Sequence, residues 1–157
     1  MKVFLTTNPD TLTSTESFYT LAKPIVEHPQ GWKGVEVTDD RNAADCVVTL
    51  ATDSTIVRMF PQFADTHLSV CEMGPRNVWI NESRWLRLIP DKSQLSLPAY
   101  RIYVLQHELG HALGHGHAKH TEPGQPAPVM IQQTLGIGAS TPNPFPTKSE
   151  LANQYMV

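Results

Sequence analysis

Residues 107–117 read HELGHALGHGH, and the rest of the chain is best interpreted from this stretch outward. Residues four apart on an α-helix differ by only about 40° in direction, so His107 and His111 would project from the same face. One metal ion could then contact both imidazoles. Glu108 follows directly on the same helix, where its carboxylate would lie beside such an ion rather than bind it. The pattern H-E-x-x-H therefore predicts two metal ligands with an adjacent base.

The third ligand is expected just beyond the end of this helix. Gly114 should end the helix, because glycine readily takes the left-handed conformation that turns the chain sharply. That turn would bring His117 back towards the first two histidines. His115 directly follows the glycine and competes for the same role.

Three imidazole ligands indicate a particular kind of metal site. Three nitrogens and one open position are typical of catalytic zinc, whereas structural zinc sites are closed by four protein ligands. Zinc lowers the pKa of a bound water towards about 7, and Glu108 would accept the proton of this water as it attacks a carbonyl. The sequence therefore predicts one Zn²⁺ ion and hydrolytic chemistry. Cobalt or nickel would fit the same ligands.

Composition limits the size and the partners of the protein. The chain has 157 residues, 40% of them hydrophobic, and a net charge of −3. This length suits one compact domain with a core. The charge predicts no nucleic-acid partner and no membrane-binding patch, and no apolar run approaches the roughly 20 residues that span a bilayer. Residues 1–10 lack a signal-peptide core, so we expect a monomer that stays in the cytoplasm by default.

The remaining sequence predicts alternating strands and helices. A capping box at residues 13–16 should open a first helix that Pro24 ends or kinks. The long helix with the histidines should begin near Ser96 and run to about Gly114. A second capping box at residues 147–150 predicts a short closing helix. Extended segments are expected at residues 2–6, 35–38, 45–51, 66–72 and 77–81, the third of them inside a sheet.

Cys46 and Cys71 are the two cysteines of the chain. They could pair if neighbouring strands face them together, but two thiols are not a disulfide framework. We interpret them as reduced core residues. Neither has ligand spacing with the histidines, so a zinc-cysteine site is not expected.

The string H-E-x-x-H-x-x-G-x-x-H, followed by Met130 in a proline-rich turn, resembles the signature of the metzincin metallopeptidases. Residues 100–117, 125–136 and 142–146 are also similar to an uncharacterised family of small bacterial metzincin-like proteins. The resemblance covers about residues 40–146. In this clan a methionine turn, the Met-turn, runs beneath the metal, and the ligand spacing implies His117 as the third ligand.

The resemblance also implies a fold. That fold is an α+β domain with a twisted mixed sheet, a backing helix, an active-site helix that carries HExxH, and an irregular C-terminal subdomain with the Met-turn. Residues 1–157 would form a single metallopeptidase domain. Residues 1–116 would hold the sheet and the active-site helix, and residues 117–157 would form the Met-turn subdomain. Gly114 and Met130 would then have structural roles near the site.

An extended substrate pairs with a strand at the edge of the cleft in the resembled clan. A free strand edge is a ready template for a peptide backbone. Some metzincins also place a tyrosine two residues after the turn methionine, but this chain has Gln132 there, so no help from a phenol is expected. The segment that we assign to the substrate edge consists of His67, Leu68, Ser69, Val70 and Cys71.

Three functions are compatible with these features. The first is a zinc endopeptidase, in which Glu108 activates a metal-bound water against an extended peptide or protein substrate. The second is a non-catalytic, zinc-stabilised binding or assembly module. The third is a zinc amidase that acts on a non-protein substrate. A module without catalysis needs no general base, so the intact Glu108 favours an enzyme, and peptide hydrolysis is our main expectation.

Overall fold

The computed structural model describes residues 1–87 and 91–156, so residues 88–90 and 157 of the predicted single domain lie outside the described part. The described residues contain five strands in one mixed sheet together with five α-helices, which agrees with the expected α+β class. The strands are β1 (Lys2–Thr7), β2 (Glu36–Val37), β3 (Cys46–Ala51), β4 (Val70–Glu72) and β5 (Asn77–Asn81). The helices are α1 (Thr15–Val26), α2 (Asp53–Met59), α3 (Glu82–Leu86), α4 (Leu97–Ala112) and α5 (Lys148–Ala152).

The sheet has the spatial order β2-β1-β3-β5-β4. Strand β1 pairs in parallel with β2 and β3, and β3 pairs in parallel with β5. Strand β4 is antiparallel to β5 and lies at one edge. The prediction that residues 45–51 form an interior strand is therefore confirmed, because β3 has a neighbour on each side.

The main core lies between one face of the sheet and the helices α1 and α4. Alternate residues of the central strands point to this face, among them the buried Val48, Leu50, Val78 and Ile80. Burial of each such side chain stabilises the fold by roughly 1.5–3 kcal/mol. Helix α4 contacts β5, β4 and α1. The helix with the histidines is thus fixed against the sheet, next to its edge strand.

Helix α4 begins and ends close to the predicted positions. The hydroxyl of Ser96 accepts a hydrogen bond from the backbone N–H of Ala99 and so caps the first turn. The helix ends at Ala112 with Leu113 as its C-cap, and Gly114 has φ +103°, which is in the left-handed region. The glycine therefore supplies the conformation that the sequence predicts for it.

The structure differs from the sequence prediction in two respects at α1, the position of its N-cap and the predicted end at Pro24. The N-cap is Ser14, whose side chain accepts from Ser17, so the cap lies one residue later than the predicted capping box. Pro24 lies inside the helix, which continues to Val26. Its missing N–H leaves only one carbonyl without a helical partner, and the apolar face of α1 is buried at Phe18 and Val26, so packing outweighs the proline.

The predicted edge segment is a strand only in its second half. Val70 and Cys71 belong to β4, whereas His67, Leu68 and Ser69 precede it. His67 has φ +53°, a left-handed conformation that does not fit a strand. The guanidinium of Arg84 donates to the carbonyls of Thr66 and His67, at 3.1 and 2.9 Å, and stabilises this turn.

Both cysteines are free thiols, with Cys46 buried and Cys71 half-buried, which confirms their interpretation as reduced residues. Burial raises the pKa of each thiol to about 12. Helix α3 was not predicted, because its five residues are too few to show a helical period. None of the helices in residues 1–87 and 91–156 has the length and apolar character needed to cross a membrane.

Candidate metal centre

Three histidine side chains meet at the C-terminal end of α4. Their candidate ligand nitrogens all lie within 4.8 Å of one another. Nε2 of His111 is 3.1 Å from Nε2 of His117, and the ring centroids of His107 and His117 are 5.3 Å apart. His107 is buried, His111 is half-buried and His117 is exposed, so the cluster opens to solvent on one side. The structure therefore brings the three predicted ligands together.

Backbone carbonyls fix the protonation of two of these rings. Nδ1 of His107 lies 2.7 Å from the carbonyl oxygen of Val129, and Nδ1 of His111 lies 2.7 Å from that of His115. A carbonyl oxygen can only accept, so each Nδ1 carries the proton. The Nε2 lone pairs of both rings are then free to bind a metal, and this arrangement is typical of histidine ligands.

His115 supports the cluster but does not belong to it. Its ring stacks on Trp32 with 4.8 Å between centroids and an interplanar angle of 17°. Its carbonyl oxygen accepts the hydrogen bond from Nδ1–H of His111. The turn at Gly114 makes this possible, because it points the carbonyl of His115 back at α4. Of the two candidates for the third ligand, the structure brings His117 to the other two histidines.

Glu108 is a buried carboxyl beside the three histidines. Its side chain is 5% exposed, and no donor among the described residues forms a hydrogen bond with its Oε2. Burial raises the pKa of Glu108 to about 8. Burial also lowers the pKa of the neighbouring His107 to about 3, so this imidazole is neutral at physiological pH. In the metal-free protein, Glu108 is therefore a neutral carboxylic acid at pH 7.

Glu108→Gln is expected to stabilise the metal-free protein progressively as pH rises from about 5 to 8. The folded protein holds the Glu108 proton up to about pH 8, whereas the unfolded chain releases it near pH 4.5. The wild-type free energy of unfolding therefore falls with rising pH in this window, and glutamine removes that loss, about 3 kcal/mol at pH 7. Urea unfolding of the chelator-treated wild type and variant at several pH values measures these free energies of unfolding. Glu122→Gln, which alters an exposed carboxyl, should follow the wild type, and identical pH slopes in Glu108→Gln and wild type would contradict the assignment.

Met130 packs against the helix that carries the candidate ligands His107 and His111. Its side chain is 3% exposed. A Cβ atom added to Gly110 would overlap with Sδ of Met130 and would come within 3.0 Å of Trp32 Cζ2. The backbone carbonyl of Met130 accepts from the N–H of Ala118, just beyond His117. The loop around Met130 thus contacts the chain on both sides of the cluster.

Gly110→Ala is expected to lower the free energy of unfolding by about 1 kcal/mol, although alanine normally favours a helix over glycine by a similar amount. The added methyl group forces Met130 out of a packed position, and such overpacking typically destabilises by about 1–3 kcal/mol. Thermal unfolding measures the change. Met130→Ala should remove the overlap between the Met130 side chain and the methyl group of Ala at position 110. The double variant should therefore be less destabilised than the sum of the two single variants. A higher Tm for Gly110→Ala alone would show that no such contact exists.

A cleft of about 240 Å³ leads to the histidines and Glu108. Tyr103 lines the cleft, but its hydroxyl accepts from Gln133 N and donates to the carbonyl of Ile131, at 2.9 and 3.1 Å. Gln132 also lines the cleft. Of the predicted edge residues, all except His67 line the cleft, and Nδ1 of His67 instead lies 3.1 Å from Asp53 Oδ1. The walls include Phe63, Leu68, Val70, Met73, Tyr100 and Val104.

Several groups that support the site were missed in the sequence. The carbonyls of Val129 and His115 leave no side-chain pattern. Tyr103 precedes His107 by one helical turn, and this spacing was the available signal for its place beside the cluster. Glu150 was recognised only as part of a capping box, yet its carboxylate also accepts from the backbone N–H groups of Val129 and Met130.

The fold and the site define a class of protein, an α+β protein with one mixed sheet and a three-histidine candidate metal centre. Within this class, the chain belongs to the DUF3152 family, described as proteins of unknown function, whose match covers residues 4–153. Neither the curated proteins nor the solved structures contain a significant match.

Proposed function

We propose that this protein is a zinc-dependent endopeptidase of the metzincin type. The observation that carries the proposal is the joint placement of three converging imidazoles and a buried carboxyl with an open oxygen in one cleft. Three imidazoles alone would indicate a metal site but would provide no group for proton transfer. Among the described residues, no donor forms a hydrogen bond with Oε2 of this buried carboxyl, and a general base in a hydrolase needs such an open oxygen to accept a proton.

The three histidines fit zinc in chemistry, and the nitrogens of His111 and His117 also fit it in spacing. Zinc accepts neutral imidazole nitrogens at about 2.0–2.1 Å, so two ligands at a tetrahedral angle lie about 3.3 Å apart. The corresponding nitrogens of His111 and His117 are 3.1 Å apart. The Nδ1 protons of His107 and His111 are directed at carbonyls, which leaves Nε2 as the ligand atom. Zinc would therefore be held by His107, His111 and His117.

Glu108 would carry the proton transfers of peptide hydrolysis. Bound zinc would supply a Lewis acid that lowers the pKa of water and polarises the scissile carbonyl. A neighbouring cation favours the carboxylate form of Glu108, which is the form that can accept a proton. Its open oxygen would take a proton from water as the hydroxyl adds to the carbonyl carbon. The same carboxyl would then give this proton to the leaving amine nitrogen as the C–N bond breaks.

The edge strand β4 supports an extended peptide as the substrate. One edge of β4 pairs with β5, and β4 is the last strand of the sheet on that side. Val70 and Cys71 of this strand line the same cleft as Glu108 and the histidines. A substrate strand added to β4 would pass beside the candidate metal centre. The Met130 turn against α4 is the further feature that favours the metzincin type.

The experiment that tests the proposal combines metal analysis with cleavage of a peptide library. We expect one zinc per chain, and cleavage that a chelator abolishes and added zinc restores. One zinc per chain without cleavage of any peptide would reject the endopeptidase in favour of a zinc amidase on a non-protein substrate or a non-catalytic module. A protein that binds no zinc would reject the metal centre itself.

A further inference from the structure

The carboxylate of Glu150 is bonded to the loop that contains Met130. Its Oε1 accepts from Met130 N at 2.9 Å, and its Oε2 accepts from Val129 N at 3.0 Å and from Thr147 N at 2.7 Å. The bond to Thr147 completes the capping box of α5. The other two bonds leave the helix and fix two consecutive backbone N–H groups beside the metal centre. Capping of α5 therefore accounts for only part of what this carboxylate does.

One peptide group connects this carboxylate with the candidate ligand His107. The carbonyl oxygen of the Val129–Met130 peptide accepts a hydrogen bond from Nδ1–H of His107 at 2.7 Å. The N–H of the same peptide donates to Glu150 Oε1. The peptide group is planar and conjugated, so a negative charge at its N–H makes its oxygen a stronger acceptor. Metal-binding histidines commonly donate to a carboxylate or a carbonyl, which orients the ring and raises its basicity. Here the carbonyl of Val129 accepts from His107, and the carboxylate of Glu150 accepts from the N–H of the same peptide group.

We propose that Glu150 is a positioning residue for the metal ligand His107 and acts through the Val129–Met130 peptide. The proposal rests on the proposed function in that His107 is taken to be a zinc ligand. Glu150 keeps the peptide oriented with its oxygen towards Nδ1 of His107. It thereby holds the ring in the tautomer whose Nε2 lone pair faces His111 and His117.

Other bonds hold the same loop when Glu150 is changed. The hydroxyl of Tyr103 binds the backbone at Ile131 and Gln133, and the N–H of Ala118 donates to the Met130 carbonyl. The loop should therefore stay folded, and the Val129–Met130 peptide alone should gain freedom to rotate. A change in His107 without a loss of structure is the distinctive result of this arrangement.

Glu150→Gln tests the proposal with almost no change in volume. The glutamine oxygen can replace only one of the two carboxylate oxygens, and the NH₂ group at the other position would face at least one backbone N–H donor, so the three bonds of the carboxylate cannot all form. We expect zinc affinity, measured by competition with a chromophoric chelator, to fall about 10-fold. In the zinc-free variant, long-range ¹H–¹⁵N spectra should show His107 losing its preference for the Nδ1-protonated tautomer. The wild type should show that preference without zinc.

Thr147→Ala is the matched control, because it removes the hydroxyl that caps α5 and leaves the carboxylate of Glu150 in place. Its zinc affinity and its His107 spectrum should match those of the wild type. Loss of zinc affinity in both variants in proportion to their loss of stability would overturn the proposal and leave Glu150 a structural residue. Wild-type tautomer and affinity in Glu150→Gln would overturn it as well.

A second variant covers the case in which Glu150→Gln does not fold. Glu150→Asp keeps the charge but withdraws the carboxylate from the peptide by one bond, so the tautomer preference of His107 should again weaken. An unchanged spectrum in folded Glu150→Asp would reject the role of Glu150. Absence of zinc binding in the wild type would reject the proposed function, while the zinc-free spectra would still decide whether Glu150 positions His107.

Discussion

Glu108→Ala is expected to lower the rate of peptide hydrolysis by about 10²- to 10⁴-fold and to leave one zinc per chain. The expected loss is that of a general base positioned at the reacting water. Zinc should stay, because the three ligand nitrogens come from histidines and no bond of Glu108 Oε2 within the described residues holds them in place. The loss should appear in kcat, since a base acts on the reaction rather than on substrate binding.

The matched control for this prediction is Glu122→Ala, which removes an exposed carboxylate of the loop beyond the histidines. Its turnover and zinc content should equal those of the wild type. Turnover in Glu108→Ala equal to that of the wild type would reject the mechanism. Loss of zinc from Glu108→Ala would instead assign this carboxyl to metal binding.

His117→Ala is expected to weaken zinc binding by more than about 100-fold. Removal of a partner that merely orients a ligand already weakens metal binding by about 10- to 100-fold, and His117 is proposed to be a ligand itself. Its side chain is exposed, so the substitution leaves no cavity and the fold should be unaffected. Chelator competition measures the affinity, and circular dichroism checks the fold.

Two further histidines provide controls for this experiment. His120→Ala changes an exposed imidazole outside the cluster, and its zinc affinity should not change. His115→Ala should disturb packing on Trp32 but keep the backbone carbonyl that orients His111, so zinc should still bind. If His117→Ala bound zinc like the wild type while His115→Ala did not, the third ligand would be His115.

The helix with the histidines was predictable because its signals are local. The hydroxyl of Ser96 caps it, and Gly114 supplies the left-handed turn that follows it. The spacing of His107, His111 and His117 follows from helical geometry and one turn. Each of these features is decided by neighbours within a few residues, so the sequence alone contains them.

The features that were predicted wrongly or missed depend on contacts between distant segments. His67 takes a left-handed conformation because Arg84, seventeen positions away, binds its carbonyl. Pro24 stays inside α1 because the core buries the helix around it. The link from Glu150 to His107 passes through the backbone carbonyl of Val129 and the backbone N–H of Met130, which every residue type except proline would supply. No pattern of residue types predicts such a link.

The position of Glu150 along the chain has a consequence for how the centre is assembled during translation. The ribosome makes all three histidines before it makes Glu150, which holds the peptide next to His107. A growing chain therefore acquires its ligands first and the group that orients one of them later. Under the proposed function, this order would delay a fully aligned hydrolytic centre until the closing helix has emerged and docked.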